Sequence, residues 1–293
     1  MIHVSKRLQT ICDFVPEGSR ICDVGCDHAF VDIRILQEGK VSSCLAMDVA
    51  DGPLAKAKEN LELVELMDRC ELRKSDGLKA YQKGECSVLV CTGMGGILMR
   101  DILGQEKEKA ASFEELILSP HTEIALVREW LRQNGFGIVE EEFLLDEGKY
   151  YTVMRVLPDV GKGRHPDWDE YVGLLSCMER SELEQALINR ESVQKLLVDN
   201  AFRCFVEDQY GPCVLISFLR QGKEGGRTQQ CFLRYVKEQL RSRRSLEENL
   251  SKHFDTSENA AKKLKNVRGE MGILQVLLFL YEFLRNKTEE KIS

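Results

Sequence analysis

The sequence predicts an α/β fold: a doubly wound sheet ending in an antiparallel hairpin, followed by a C-terminal α-helical coiled-coil hairpin. Three observations carry this. Short apolar runs alternate with amphipathic, helix-length segments up to Gly135, the pattern of a parallel sheet with helices on both faces. Two strand-like runs then flank the turn Asp146-Glu-Gly148. Finally, Leu264, Val267, Met271, Leu274, Leu278 and Tyr281 recur at spacings of three and four, the period that packs one helix along another.

The elements follow in order. Val4, Leu8, Ile11 and Val15 stand at helical spacing. Strands are expected over Arg20 to Val24, Ser43 to Asp48, Cys70 to Lys74, Ser87 to Cys91 and Glu115 to Leu118. Helices are expected over Ala29 to Gln37, Pro53 to Val64, Gly95 to Leu103 and Glu123 to Gln133, the second started by Asp51-Gly-Pro. Ile138 to Leu145 and Tyr150 to Leu157 form the hairpin. The segment from Pro158 to His165 has a linker composition, and 168–200 is expected to form two short helices. Tyr210-Gly-Pro212 and Gln221 to Gly226 are turns. From Thr228 to Leu284 a helical pair is expected, its second helix capped by Ser257 or by Asp255-Thr256. The first helix is less regular (Leu233, Val236, Leu240, Leu250, Phe254), with Arg243 where an apolar residue would sit. The expected domains are 1–160 for the sheet, 161–220 for a linker with inserted helices, and 221–293 for the helical hairpin.

Composition bounds the function. The chain has 293 residues, 43% of them hydrophobic, enough for a real core and an appended part. Its longest apolar segment, Val276 to Tyr281, is too short to span a bilayer, so a cytoplasmic protein with no membrane partner is expected. The 11 cysteines form no CxxC pair, and Cys22, Cys44, Cys86 and Cys91 sit among apolar neighbours as reduced core thiols do. No metal site is expected. The net charge of -7 argues against indiscriminate nucleic-acid binding. The charge is uneven, however: residues 201–293 carry 17 Lys and Arg against 12 Asp and Glu, leaving 24 against 36 in residues 1–200. A basic tail on an acidic body is either an interaction arm or a solvated helical face.

Chemistry concentrates at strand ends. In RICDVGCDHA, Gly25 turns the first strand into the first helix of the sheet, letting backbone approach a ligand. A dinucleotide binder needs further glycines there, because a pyrophosphate must sit on the helix N-terminus. Cys26, Asp27 and His28 follow instead. Carboxylates repel phosphate but suit a cationic ligand with an amino-acid group, such as the sulfonium S-adenosylmethionine. Asp48 ends the second strand about 23 residues later, placed for both ribose hydroxyls of a nucleoside or for capping a helix. Ser75-Asp76-Gly77 follows the third strand, where Asp76 could reach an adenine amino group or form a plain turn. Cys91-Thr-Gly-Met-Gly-Gly96 follows the fourth, a possible anion cradle. Four such features at successive strand ends mark where an open sheet binds its ligand, and the whole is the outline of a Rossmann-like class I methyltransferase.

SKRLQTICDFVPEGSRICDVGCDHA, MDVADGPLAKAKEN, SDGL, GMGG and LILSPH…REWL, in that order, resemble the bacterial tRNA (adenine-22-N1)-methyltransferase family, the TrmK family, over residues 3 to 157. The GxDHA and GMGG turns make the resemblance specific. It implies S-adenosylmethionine bound by Asp23, Gly25, Asp48, Val49, Asp76, Gly77 and Gly93, with Asp27 and His28 in the catalytic pocket, and tRNA as partner. The chain departs from the family at Phe30, where a tyrosine is usual, at Asp32 in place of a proline, and at His121, where LQPN becomes Leu118-Ser-Pro-His121; residues 165–205 read as an insertion.

On this reading Asp27 stabilises the cation that forms on adenine N1, and His28 bonds the exocyclic amine, orients Asp27, or fixes the turn. Phe30 stacks on the base or belongs to the core. Phosphate contacts fall to Lys6, Arg7, Arg234, Lys237, Arg241, Arg243, Arg244, Lys262, Lys263 and Lys265, each of which could equally be a solvent-facing charge. A monomer is expected. The rival classes are a methyltransferase acting on a small molecule and a catalytically impaired RNA-binding protein.

Overall fold

The computed structural model describes residues 1–158, 206–219, 226–252 and 258–292. The chain divides into two compact units, Met1–His165 and Pro166–Ser293. The two helices expected over 168–200, the linker before them, the Gln221 to Gly225 part of the turn, and the caps at Asp255, Thr256 and Ser257 lie outside the described residues.

The first unit runs α1 (Lys6–Phe14), β1 (Ile21–Val24), α2 (Phe30–Gln37), β2 (Cys44–Asp48), α3 (Asp51–Leu63), β3 (Cys70–Lys74), β4 (Val88–Thr92), α4 (Gly96–Gln105), α5 (Lys107–Ala110), β5 (Glu115–Ser119), α6 (Ile124–Gln133), β6 (Phe136–Asp146) and β7 (Lys149–Pro158). Helix α1 is capped by Ser5, whose side chain accepts from the Leu8 N–H. All four residues of β1 are buried, as parallel strands covered on both faces must be. The strands order as β3-β2-β1-β4-β5-β7-β6, with β1 to β5 parallel and β7 and β6 antiparallel. Helices α1, α2 and α3 pack their apolar sides on one face, around Ile11, Ile33, Ile35 and Leu61. Helices α4, α5 and α6 cover the other, around Met99, Leu103, Val127 and Leu131. The seven cysteines of residues 1–158 are all buried and unbridged.

The winding of the sheet reverses between β1 and β4, which lie side by side although β2 and β3 intervene in sequence. Helices leaving two such strands depart to opposite faces, so a crevice opens at the strand C-termini. The register aligns those ends, with Val24 opposite both Met47 and Cys91. On the far side, β6 and β7 meet at Glu147 and Gly148, both with positive φ (47° and 78°), the geometry that a two-residue hairpin with right-twisted strands requires. A buried ion pair, Arg128 Nε to Glu141 Oε1 at 2.9 Å, ties α6 to β6.

The second unit contains α7 (Pro212–Leu219), α8 (Gly226–Ser251) and α9 (Glu258–Ile292), with α7 and α9 both packed on α8. Phe232, Val236 and Leu240 of α8 and Leu264, Val267, Met271 and Leu274 of α9 are buried. Arg243 pairs with Glu270 and Glu247 with Arg268, both at 2.7 Å. Partners that rise in number on one helix as they fall on the other mark the pair as antiparallel. The apolar repeat therefore breaks at Arg243 because that position carries a cross-helix ion pair.

Candidate active site

The turn after β1 is built under strain. Gly25 (φ 79°) and Cys26 both donate their N–H to the Met47 carbonyl, at 2.8 and 3.1 Å. A Cβ on Gly25 would stand 2.9 Å from the flexible end of Met94, and the positive φ strains any other residue there. Asp27 (φ 48°) and Ala29 (φ 57°) then adopt left-handed conformations, which cost L-residues about 1–2 kcal/mol each. Surrounding bonds hold them: Asp27 N–H points to Asp48 Oδ2 at 3.4 Å, Asn60 Nδ2 donates to the His28 carbonyl at 2.9 Å, and Ala29 N–H donates to the Cys26 carbonyl. Strain of this kind persists where a site needs it. Its effect is to present Asp27 and His28 to solvent, Nε2 3.6 Å from Asp27 Oδ2, with His28 Nδ1 buried and unpartnered. Phe30 opens α2 with its ring 5.5 Å from that of His28 and is 44% exposed. The three residues expected in the catalytic pocket thus share one rim, and Phe30 is not core.

Asp48 stands beside them at the end of β2. Its Oδ1 accepts the Ala50 N–H at 3.0 Å, closing the turn that leads into α3, whose N-cap is Ala50 and which has no side-chain cap, and the carboxylate retains lone pairs for further donors. Val49 next to it is 60% exposed, an apolar face on an otherwise acidic rim. Asp76 is paired with Lys79 Nζ at 2.5 Å; such an exposed pair is worth about 0–1 kcal/mol and yields to a ligand. Gly77 (φ 56°) sits over Ile102, where a Cβ would be 3.0 Å from Cγ2. Gly93 (φ 80°) has open space at its Cβ position. The exposed carboxylates of Asp27 and Asp76 and the half-buried one of Asp48, with the bare Val49, fit a cationic nucleoside and not a pyrophosphate. In the GMGG turn the Gly93 N–H donates to the Ser119 carbonyl and the Gly96 N–H to that of Thr122, so these two donors close the rim and are not offered to an anion.

Asp23 does not reach this surface. It is 3% exposed and faces Asp32 of α2, which is 0% exposed. Neither Asp32 oxygen has a well-formed hydrogen-bond partner. Burial, then the mutual repulsion of two carboxyls, pushes Asp23 well above the usual carboxylate range, and burial raises Asp32.

Beyond β4 lies a part of the rim that sequence reasoning did not assemble. Arg7 of α1 packs its guanidinium 5.2 Å from the centre of the Tyr151 ring. Its backbone N–H donates to Asp146 Oδ2 at 3.1 Å. His121 meets the same tyrosine edge-on at 5.5 Å and donates its N–H to the Met94 carbonyl. Desolvation, Arg7 and Lys149 lower the His121 pKa. Nothing near Tyr151 in the sequence flags it; only the antiparallel register of β7 brings it beside the end of β5.

Of the predicted phosphate contacts, Lys6, Lys237, Arg241, Arg244, Lys262, Lys263 and Lys265 are exposed. Lys237, Arg241 and Arg244 share one face of α8 by their spacing. Arg234 pairs with Glu238 at 2.8 Å, while Arg243 and Arg7 are held as described. Among the described residues no group of metal-ligating side chains gathers, and no helix is long and apolar enough to cross a membrane.

The profile of the methyltransferase domain matches residues 4–154. The chain belongs to the methyltransferase domain family. A tRNA (adenine(22)-N(1))-methyltransferase of Bacillus subtilis is 35% identical over 153 residues, covering 52% of this chain and 64% of that relative, so the match spans under two thirds of the relative's length. The crystal structure of the B. subtilis m1A22 tRNA methyltransferase TrmK is 26% identical with a TM-score of 0.67, covering 95% of this chain and 100% of that one. Streptococcus pneumoniae Sp1610 in complex with S-adenosyl-L-methionine, 24% identical, shares the fold at a TM-score of 0.66 over 94% of this chain and all of its own. The resemblance read from the GxDHA and GMGG turns is borne out.

Proposed function

We propose that this chain is an S-adenosylmethionine-dependent methyltransferase acting on N1 of an adenine in tRNA, adenine 22, as a monomer in the cytoplasm. One observation carries the reading: a strained turn holds Asp27 and His28 over Asp48 at the switch point of a methyltransferase-domain sheet. The cofactor supplies an electrophilic methyl on a positively charged sulfur. Asp48 holds its ribose, Val49 covers its adenine, and Asp76 turns from Lys79 to the adenine amino group. Gly93 leaves the backbone bare where the donor must pass, and Gly25 is covered there only by the flexible end of Met94. Asp23 acts from below, through the turn.

Adenine N1 is neutral with an in-plane lone pair, so no base need remove a proton before it attacks. Orientation then dominates, capable of lowering a barrier by roughly 7–11 kcal/mol at best. The ring becomes cationic as the methyl arrives, and Asp27 stabilises that charge more in the transition state than in the ground state. Because N1 lies on the pairing edge, the base must be extruded at a cost of about a few kcal/mol, offset by aromatic stacking in a pocket that Phe30 flanks. The helices from residue 221 onward form the tRNA-contacting domain, with Lys237, Arg241 and Arg244 on phosphates.

The test is incubation with tritiated cofactor and a tRNA transcript, followed by mapping of the label. Label on adenine 22, lost when that adenine becomes guanine, supports the reading. Cofactor binding with no label on any tRNA would overturn it.

A further inference from the structure

The geometry points to Arg7, Tyr151 and His121 as the seat of the acceptor nucleotide, the two rings receiving its purine and the Arg7 guanidinium its phosphate. This rests on the reading of the chain as an RNA methyltransferase and adds the residues that would hold the acceptor.

Position comes first. Pairing of β5 with β7 ends at Leu118 opposite Met154, and one step of three residues further on each strand brings His121, beyond β5, beside Tyr151, which is still paired with Leu144 of β6. Ser119 Oγ donates to the Thr152 carbonyl at 3.0 Å and fixes that step. The cluster stands on the β5–β7 side of β4, whereas Asp27, Asp48 and Asp76 stand on the β1–β3 side. Met94 spans the two halves. Its Cε rests over Gly25 and its carbonyl accepts the His121 N–H at 2.9 Å, so a group seated on His121 lies across one side chain from the donor's turn.

The chemistry selects the ligand. Arg7 carries a buried Nη1 with no hydrogen-bond partner. A buried donor left unsatisfied costs about 1–3 kcal/mol, more when charged, and is retained where an acceptor arrives from outside. Asp146 engages the Arg7 backbone and not this nitrogen. A guanidinium with one free donor edge, lying on an aromatic ring, suits a phosphate oxygen. Beside it His121 is exposed, and burial of part of its ring with Arg7 and Lys149 nearby favours the neutral imidazole. A neutral ring accepts a purine that turns cationic during reaction without repelling it. Aromatic faces next to a phosphate-binding cation are how proteins hold an unstacked nucleotide, at about 1–3 kcal/mol per stacked base.

The test is titration of the full chain, saturated with S-adenosylhomocysteine, with adenosine 5′-monophosphate and separately with adenosine, read by calorimetry. Tyr151→Ala and His121→Ala should weaken both ligands about tenfold, as about 1.4 kcal/mol of stacking implies. Arg7→Gln should weaken only the monophosphate, bringing it level with adenosine. All three should leave homocysteine-product affinity unchanged and raise the KM for tRNA. Unchanged monophosphate affinity in the variants, no saturable binding by the native chain, or competition with the bound product would each overturn the assignment. Should Arg7→Gln unfold the domain, the exposed His121→Ala decides by itself. Nucleotide binding through these residues without tRNA methylation would overturn the functional reading and leave the nucleotide seat standing, so the two failures are distinguishable.

Discussion

The Asp23 carboxyl on β1 faces the Asp32 carboxyl on α2, with solvent shut off from both. Two like charges so buried cannot both ionise, and both groups are raised above the ordinary carboxylate range. The unfolded chain ionises each near pH 4, so in the folded state they hold protons that the unfolded state has released. Stability therefore falls as pH climbs from about 4 toward the raised values. Asp32→Asn keeps the shape and removes the second charge. Its Tm should exceed that of the native chain at pH 8, with the difference shrinking toward pH 4.5. A constant difference across that range would show that Asp32 is not titrating against Asp23.

Asp48→Asn tests the donor site without dismantling the turn. The amide oxygen still accepts the Ala50 N–H that the carboxylate accepts at 3.0 Å, while the charge-assisted bonds to ribose hydroxyls disappear. Bonds to charged groups contribute about 1.5–3 kcal/mol, so the Kd for S-adenosylmethionine should rise roughly 10- to 100-fold in calorimetry, with the melting temperature of the free protein little changed.

Gly96→Ala should fail by collision. A Cβ there would come within 2.5 Å of the Thr122 carbonyl oxygen and 2.7 Å of that of Glu123, both backbone atoms that cannot rotate away. Overpacking of this kind costs about 1–3 kcal/mol, and relief requires moving the loop that carries His121. Lower stability with a raised KM for tRNA is expected. Gly104→Ala, whose Cβ meets only Trp130 at 3.6 Å, is the control that should leave KM unaltered.

Charge reversal on α8 separates RNA binding from helix pairing. Arg241→Glu and Arg244→Glu alter exposed positions and should weaken tRNA binding, reducing the slope of log affinity against log salt by about one for each phosphate that is no longer neutralised. Arg243→Glu instead places a carboxylate beside Glu270, so it should lower the melting temperature as well. Unchanged tRNA affinity in the first two variants would assign these charges to solvation alone.

The sheet was legible because β1, β2, β4 and β5 are buried on both faces and so appear as apolar runs, interrupted in β1 only by Asp23; each predicted strand lies within two residues of its position in the structure, whereas the last helix runs past the expected Leu284 to Ile292. The donor half of the rim was legible for a related reason, since its residues sit directly after strands that the sequence marks. Tyr151 escaped because β7 pairs antiparallel with β5, and that register is set by residues remote in sequence from His121's own strand end. Asp32 could be noticed as a departure, but its partner Asp23 is found only when α2 is laid on β1. The Arg243 break in the α8 repeat likewise has no meaning until Glu270 is seen opposite.

The seven sheltered cysteines of the first unit turn it into its own opening gauge. Burial pushes the Cys12 thiol up to about 12, and Cys26 higher still, so an alkylating reagent at neutral pH meets neither thiolate nor access until the polypeptide parts around them. One common, slow labelling rate at every position would mean that the layers separate together. Cys26, wedged beneath the strained turn, is the place where a faster rate would betray a local breath of that turn, and a bound donor should silence it.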